Sequence, residues 1–206
     1  MSSTVPKLIR KPWTVYPFLD TGGFHIEPQI FRADPKHMLY CGDNQANAKF
    51  LAHPMPVEGQ NHGLSTQWDC WFKLDAVTDV IYFIICNQPT IQIASASIRG
   101  YAIEIDGTNS RIDIERLDGG GGLVNLVTYD WAADTDLHIV RFYREVNVGD
   151  RLWSLYYGDS LDALALVAGP SATDATYIDF SWWGTDHLTH NRCMWGGESC
   201  ESFDVA

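Results

Sequence analysis

The sequence predicts an all-β protein, an antiparallel two-sheet jelly-roll sandwich with an extended arm at its amino terminus. Apolar and polar residues alternate with a period of two along most of the chain, and no segment sustains the 3.6-residue period of a helix. Clusters of glycine, asparagine and aspartate, which are typical of turns, separate these segments at roughly regular intervals. The pattern indicates about ten to thirteen short strands, and such spacing favours a sandwich over a parallel α/β sheet.

The first clear strand is TQWDCWFKL, residues 66–74. One of its faces is apolar and the other polar, which is typical of a strand with one buried face. The apolar face carries Trp68, Cys70, Phe72 and Leu74. The next strand, VIYFIIC at 80–86, is apolar throughout, but it is far shorter than a membrane span.

A β-hairpin is predicted between GYAIEID at 100–106 and RIDIER at 111–116. The linking residues DGTNS are a hairpin turn signal, because asparagine, aspartate and glycine accept the backbone angles of tight turns. Alternation places the aromatic and aliphatic residues of both strands toward the core, namely Tyr101, Ile103, Ile105, Ile112 and Ile114. The charged residues between them are predicted to form an outer, solvated face.

The rest of the chain reads as strands, with one helix candidate. The DGGGG turn leads into the first of these strands, and the NVGD turn separates the second from the third. The predicted strands are LVNLVTY (123–129), LHIVRFYREV (137–146), RLWSLYY (151–157), TYIDFSWW (176–183) and ESFDV (201–205). LDALALVA, residues 161–168, is the helix candidate.

Residues 1–12 are predicted to be the extended arm and residues 13–206 a single domain, because no change in composition divides the chain. The arm is basic but broken by proline, and since it contains no apolar run no signal peptide is expected. The protein is therefore expected to be made in the cytoplasm without membrane insertion. With 26 acidic and 14 basic residues, its net charge of −12 disfavours nucleic acid and anionic membranes as partners.

The order of these segments resembles the concanavalin A-like lectin/glucanase superfamily, especially its laminin-G-like branch. An aromatic strand ends in WFKLD, a YAIEI strand pairs with IDIER, and an H-x-V-R strand precedes a W-x-LY-x-D strand. The similarity spans residues 66–206, and residues 13–51 are expected to supply the opening strands. It implies a two-sheet jelly roll with one concave face, on which members bind glycans, cleave them, or do neither.

Glycosidases of that superfamily carry alternating acidic residues on one strand, because a retaining mechanism needs two carboxyl groups about 5 Å apart. Glu104 and Asp106 begin this pattern, but the glutamate that should follow is missing. Asp113 and Glu115 lie across the hairpin on the same predicted face, beside Arg111. A solvated charged face is the more usual explanation, so no catalytic residue is assigned and the protein is predicted not to be an enzyme.

The resemblance also implies calcium as a cofactor, since laminin-G-like domains hold it with aspartates and carbonyl groups of loops. DGTN at 106–109 and DTD at 134–136 provide such oxygen ligands, with Asp106, Asn109, Asp134 and Asp136 as the candidates. Both segments are also ordinary turn sequences.

Eight tryptophans and nine tyrosines are many for this length, and aromatic faces stack on the apolar faces of sugar rings. The residues expected to point away from the core, and so to bind a glycan or a protein partner, are Trp131, Trp153, Tyr157, Trp183 and Trp195. Large rings also fill sandwich cores and cover protein interfaces, so each of these roles stays open.

Near the carboxyl end, DHLTHNRCMWGGESC places four nitrogen and sulfur ligands within fifteen residues: His187, His190, Cys193 and Cys200. These are the number and kind of ligands that a structural zinc site uses. If the two glycines between the cysteines allow a tight reversal, Cys193 and Cys200 form a disulfide instead. A plain loop with free thiols is the third alternative.

Three classes of function are compatible with these observations. The first is a non-enzymatic structural or attachment protein of a virus or phage particle, such as a decoration or tail component, which would be a homo-oligomer within a larger assembly. The second is a free carbohydrate-binding module or lectin, and the third is a glycoside hydrolase. The sequence favours the first, because the chain begins without a leader and its basic, proline-broken arm suits docking to a larger assembly.

Overall fold

The computed structural model describes residues 65–86, 98–119, 122–147 and 150–187, together with the backbones of the strands outside these ranges. Side chains are described for residues 65–86, 98–119, 122–146, 151–169 and 173–181. Among these residues, no helix has the length and apolar character that crossing a bilayer requires.

Fifteen strands, numbered β1 to β15 in chain order, are present in the described part of the chain and lie in two sheets. Sheet A has the order β13-β12-β11-β6-β15-β4-β3, and β1 pairs with β15. Its strands are β1 (Lys7–Leu8), β3 (Phe24–Pro28), β4 (His37–Cys41), β6 (Ser65–Leu74), β11 (His138–Asn147), β12 (Asp150–Gly158), β13 (Ala165–Thr173) and β15 (Cys193–Phe203).

Sheet B has seven strands among the described residues, in the order β10-β9-β8-β7-β14-β5-β2. Its strands are β2 (Thr14–Val15), β5 (Lys49–Pro54), β7 (Val80–Cys86), β8 (Arg99–Asp106), β9 (Arg111–Asp118), β10 (Leu123–Asp130) and β14 (Trp182–His187). Every strand pair in both sheets is antiparallel. The predicted all-β jelly-roll sandwich is confirmed.

Three predicted elements differ from the structure. The helix predicted over 161–168 is wrong: Leu161–Ala163 form one 3₁₀ turn, and β13 begins at Ala165 because Ala165 and Leu166 pair with β12. The strand predicted at 176–183 begins only at Trp182. The last strand was predicted at 201–205 but begins at Cys193. In the predicted arm, Lys7 and Leu8 pair with β15, and the division at residue 12 stays a prediction.

The core lies between the two sheets and is built from the residues that alternation assigned to it. Trp68, Cys70, Phe72 and Leu74 of β6 are fully buried. They face the isoleucines and Phe83 of β7 to β9, and the cluster continues to Trp153 and Leu155 of β12. Trp68 and Trp153 stack with ring centroids 6.4 Å apart, so two large aromatic side chains fill the centre of the sandwich.

Asp174, in the segment between β13 and β14, contacts both sheets through a set of hydrogen bonds that we call the Asp174 network. Its carboxylate accepts hydrogen bonds from Tyr101 of β8, at 2.7 Å, and from Arg116 of β9. Its backbone carbonyl accepts one from the indole N–H of Trp153 in β12, at 3.1 Å. Asp174 is only 7% exposed, so buried polar groups of sheets A and B satisfy one another through this residue.

Opposing effects act on the pKa of Asp174, and the hydrogen bonds outweigh burial. Burial favours the neutral acid, whereas hydrogen bonds from the Thr176 amide, Tyr101 and Arg116 favour the carboxylate and leave the pKa below its usual 3.8. A pKa that is lower in the folded state adds stability above the unfolded-state value, and that stability is lost as pH falls through the folded-state pKa.

Replacing Asp174 by asparagine removes the negative charge while keeping the shape of the side chain. We expect Asp174→Asn to lower the free energy of unfolding at pH 7 by about 2–3 kcal/mol, because hydrogen bonds to a buried charge are lost. The difference from the parent should narrow as pH falls below 3.8. Urea unfolding at several pH values measures this difference in the free energy of unfolding. Asp136→Asn, in an exposed loop, is the control. A difference that does not depend on pH would contradict this account.

Gly100 in β8 lies where the backbone of the neighbouring strand comes closest. A Cβ atom at this position would be 2.0 Å from the carbonyl oxygen of Ile85. At Gly122 a Cβ atom would meet nothing closer than 3.6 Å. We therefore expect Gly100→Ala to lower the free energy of unfolding by about 1–3 kcal/mol or more, whereas Gly122→Ala stays near the parent value. Equal thermal stability of the two variants would rule out this steric account.

Candidate functional site

An open pocket lies on the outer face of sheet A, and we call it the tyrosine pocket. It is a cavity of about 300 Å³ lined by Gln67 of β6, Arg141 and Tyr143 of β11, and Tyr156 of β12. All four alternate along their strands with residues of the core, so the fold places them together on the opposite face. The register brings Arg141 opposite Tyr156 and Tyr143 opposite Gln67.

The arginine of the tyrosine pocket has a fixed orientation. Arg141 donates two parallel hydrogen bonds to Asp69 on β6, from Nε to Oδ1 at 2.6 Å and from Nη2 to Oδ2 at 2.9 Å. Its guanidinium carbon also lies 6.0 Å from the ring centroid of Tyr156. A bidentate arginine–carboxylate pair is more rigid than a single contact, so this polar group is positioned before any ligand arrives.

The two tyrosines form the aromatic side of the pocket. The rings of Tyr143 and Tyr156 meet edge to face, with centroids 6.4 Å apart at 84°. Both side chains are partly exposed. Burial raises the pKa of Tyr143. A hydrogen bond with Ser65 lowers this pKa and the charge of Glu145 raises it, and the net effect is a raised pKa, so the hydroxyl stays protonated at neutral pH. Two partly exposed aromatic rings thus border the pocket.

Apolar packing covers the part of this outer face around Trp71 and Ile139. Trp71 and Ile139 lie on the same face but are buried, at 4% and 0% exposure. They pack against Leu137 and Leu164, which belong to the segments flanking β11 and β13. One end of the face is therefore closed by apolar packing, and the polar, aromatic end is open to solvent.

A second arrangement lies on the outer face of sheet B, and we call Glu104, Asp113 and Glu115 the acidic cluster. Glu104 of β8 lies directly opposite Asp113 of β9, and one carboxylate oxygen from each of the three residues lies within 4.8 Å of the others. The solvated charged face predicted for these residues is wrong, since their exposures are 9%, 0% and 6%. The structure brings the predicted carboxylates together but removes them from solvent.

Burial dominates the electrostatics of the acidic cluster. It raises the pKa of Glu115 to about 8, with further contributions from the charges of Glu104 and Asp113. Burial likewise raises the pKa of Glu104, although the hydroxyl of Tyr82 donates a hydrogen bond to its carboxylate. Carboxyl groups with raised pKa values are typical of acid catalysts, but a catalyst must also reach its substrate, and these groups are nearly inaccessible.

Three of the residues predicted to bind a glycan or partner lie at or near the core instead. Trp153 is fully buried and Trp131 is 4% exposed, so the expected outward orientation of both is wrong. Tyr157 is partly buried, and its hydroxyl accepts a hydrogen bond from the indole N–H of Trp131 at 3.0 Å. Alternation assigned Trp153 to the wrong face, since its neighbours Leu152 and Ser154 take the outer positions. Trp183 lies in β14 and Trp195 in β15, where only the backbone is described.

The aspartates predicted to bind calcium form hydrogen bonds with residues close to them in the chain. The carboxylate of Asp106 accepts hydrogen bonds from the backbone amide and side chain of Asn109, so this is an ordinary turn. Asp134 accepts hydrogen bonds from the Asp136 amide and from Nε2 of His138, each at 2.7 Å. Within the described residues, these aspartates belong to no group of three potential metal ligands. The calcium role of these four loop residues stays a prediction.

His138 explains why the DTD loop has its conformation. Its ring is 4% exposed, and its two nitrogens contact carboxylate oxygens of Asp134 at 2.7 Å and Asp159 at 2.8 Å. Burial opposes ionisation of Asp134, but hydrogen bonds from His138 and the Asp136 amide outweigh it and lower its pKa. Asp134 therefore acts within a structural contact between two loops.

The cysteine and histidine cluster near the carboxyl end is also separated by the fold. Cys193 and Cys200 lie on one continuous strand, β15, opposite Leu74 and Trp68 of β6. Their partners on β6 are six residues apart, which corresponds to about 20 Å along a strand, so these two cysteines can neither form a disulfide with each other nor bind one zinc ion together. His187 ends β14 in the other sheet, and His190 lies outside the described residues. The predicted reversal at Gly196–Gly197 is replaced by a bulge within β15.

The pattern of alternation did not predict the tyrosine pocket, although one turn in the sequence points to part of it. The NVGD turn between β11 and β12 predicts a hairpin, and extending its pairing outward places Arg141 opposite Tyr156. That pairing puts an arginine and a tyrosine side by side on the outer face. The contribution of β6 could not be found this way, because β6 precedes β11 by more than sixty residues.

No family model matches the chain, and no curated protein matches it. Solved structures do match over nearly its whole length. The chain is similar to the globular domain of T. cruzi calreticulin, with a TM-score of 0.65 at 11% identity, covering 97% of this chain and 88% of that one. It is similar to the exoplasmic/lumenal domain of VIP36 in its Ca²⁺- and mannose-bound form, with a TM-score of 0.59 at 9% identity, covering 94% and 84%.

A third similar structure is a conserved carbohydrate esterase of the Shiga toxin-encoding bacteriophage phi24B. Its TM-score is 0.56 at 12% identity, and the match covers 93% of this chain and 90% of that one. At such low identities the similarity shows the fold alone. The chain has the concanavalin A-like lectin/glucanase fold, as its segment order predicted. The closer resemblance to the laminin-G-like branch stays a prediction.

Proposed function

We propose that this protein is a non-enzymatic attachment component of a virus or phage particle and that it binds a glycan in the tyrosine pocket. The observation that carries the proposal is the composition of this pocket. Two partly exposed aromatic rings, an oriented guanidinium group and an amide side chain meet in one open cavity of about 300 Å³. Aromatic faces contact the C–H surfaces of sugars, and planar polar groups hydrogen-bond to their hydroxyls.

The pocket is suited to binding because its parts are already ordered. The Asp69–Arg141 pair and the Tyr143–Tyr156 contact restrain the lining side chains, so binding orders fewer groups and retains more of its free energy. The pocket lies on regular strands of sheet A, and strands hold side chains in more precise positions than loops do. These features support recognition of a small, partly apolar, hydroxyl-rich ligand.

The arrangement of carboxylates supports binding without cleavage. Asp69 lies beside the pocket, and both oxygens of its carboxylate accept hydrogen bonds from Arg141. Glycoside hydrolysis needs two carboxyl groups beside the same bond. Such a group of carboxylates exists in the acidic cluster, but that cluster belongs to the other sheet and is buried.

The comparisons supply the context for the proposal. A structure of VIP36 is described as mannose-bound, and another protein of similar fold is a bacteriophage carbohydrate esterase. The fold therefore occurs both in sugar binding and among phage proteins that act on carbohydrate. Both sugar binding and a place among phage proteins are compatible with the proposed particle protein that attaches to surface glycans.

Removing one ring of the tyrosine pocket tests the glycan site. We expect the parent to bind defined oligosaccharides on a glycan array and Tyr156→Ala to bind them at least about tenfold more weakly, because a central aromatic contact is lost. Tyr156→Phe should keep most of the binding, since it retains the ring. Thr128→Ala, on the outer face of sheet B, is the control. If no oligosaccharide on the array binds, with or without Ca²⁺, the glycan proposal is contradicted.

The particle role also requires contact with other protein subunits, and β10 offers a suitable surface for a second copy of the chain. It stands at the end of sheet B among the described strands. Leu123 and Val124 on this strand are 52% and 37% exposed. An end strand with exposed apolar side chains is a common site of strand pairing between copies. This supports a homo-oligomer built through β10.

A charge placed on β10 tests the oligomer. We expect the parent to form a defined oligomer by size-exclusion chromatography with light scattering, and Leu123→Lys to shift it toward monomer, because the lysine opposes pairing. Leu166→Lys is the matched control, since Leu166 is 48% exposed on β13 at the end of the other sheet. A parent that is monomeric at every concentration would count against the assembly role.

A further inference from the structure

We propose that the acidic cluster of Glu104, Asp113 and Glu115 binds one hard divalent cation of the size of Ca²⁺. This site lies in sheet B, on different residues from the predicted loop site and from the tyrosine pocket. The inference does not rest on the proposed glycan function, and either can fail without the other.

The strongest observation is that Asp113 is buried without a hydrogen-bond partner. Its side chain is fully inaccessible, and neither of its carboxylate oxygens accepts a hydrogen bond. Oε2 of Glu115 is also buried without a partner. A buried carboxylate in this state costs several kcal/mol in general, so such groups are nearly always paired or bound to a metal ion.

Among the side chains that the structure describes, too little positive charge lies near the cluster to compensate it. Nη2 of Arg111 lies 3.4 Å from Oδ2 of Asp113, but the two do not form a hydrogen bond, and the Arg111 side chain is 42% exposed. Tyr82 donates a hydrogen bond to Glu104, but it brings no charge. The neighbouring carboxylate of Asp106 adds further negative charge on the same face. One partly solvated guanidinium therefore faces several carboxylates.

The geometry of the cluster fits an ion of a particular size. Carboxylate oxygens bind Ca²⁺ at about 2.3–2.6 Å, so two ligands of one ion are at most about 5 Å apart. The three oxygens of the cluster lie within 4.8 Å of one another and meet this limit without rearrangement. Mg²⁺ binds at about 2.0–2.1 Å, which limits the separation to about 4.2 Å. The cluster is therefore expected to prefer Ca²⁺ to Mg²⁺.

The position of the ligands gives the ion a structural effect. Glu104 is on β8, and Asp113 and Glu115 are on β9, so one ion would link the two strands of the hairpin on their outer face. The hairpin also carries the inward isoleucines of the core and the Tyr101 and Arg116 contacts to Asp174. Binding an ion here should stabilise the folded chain as a whole.

The test measures Ca²⁺ binding to the full chain after treatment with a chelator and removal of that chelator. We expect one Ca²⁺ per chain by calorimetric titration and elemental analysis, and a rise in Tm that saturates with Ca²⁺. Mg²⁺ at equal concentration should give a smaller rise. Asp113→Asn should weaken Ca²⁺ binding at least tenfold, and Asp136→Asn, in the loop first predicted to bind calcium, should leave it unchanged.

A second measurement separates a metal site from a merely structural carboxylate. Without Ca²⁺, Asp113→Asn should be as stable as the parent or more stable, because it removes an unpartnered buried charge. Lower stability of this variant in chelator would overturn the proposal, as would the absence of any Ca²⁺ effect on the parent or unchanged binding in Asp113→Asn. If Asp113→Asn does not fold, it is less stable than the parent, and the proposal fails. Glu115→Gln provides an independent measure of Ca²⁺ binding.

Discussion

Asp174 satisfies polar groups from both sheets of this sandwich, and the packing of the interior depends on that contact. Through its carboxylate and carbonyl it accepts hydrogen bonds from Tyr101 and Arg116 of sheet B and from Trp153 of sheet A. Trp153 in turn stacks on Trp68, and Tyr101 lies with its ring centroid 4.2 Å from that of Trp153. Because burying a polar atom costs less when that atom has a partner, the Asp174 network supports the burial of the Tyr101 and Trp153 rings.

The two outer faces of the sandwich differ in what they offer to a ligand. On sheet A, packing by Leu137 and Leu164 covers one end and leaves the tyrosine pocket open. On the outer face of sheet B, the acidic cluster is buried. An open aromatic pocket suits a soluble sugar, whereas a buried set of carboxylates suits an ion. The two proposed sites therefore lie on opposite outer faces of the sandwich.

Alternation was enough to predict the core strands, and it failed where a residue's surroundings come from distant segments. The inward positions of β6, β8 and β9 were all predicted correctly from the sequence. The outward carboxylates of the hairpin were placed on the right face, but their burial was missed, since a pattern along one strand does not reveal what covers it. Trp131 and Trp153 were misassigned because an aromatic ring is compatible with either face, and only packing decides between them.

What the sequence determined by itself is the fold class, the faces of its main strands and the resemblance to concanavalin A-like proteins, because these follow from a local period of two and from local turn residues. The tertiary structure alone decided which distant strands became neighbours. It placed Cys193 and Cys200 far apart on one strand, brought Gln67 beside Tyr143, and buried Glu104 and Asp113. The physical reason is that strand order and register depend on contacts between residues far apart in the chain, which no local pattern encodes.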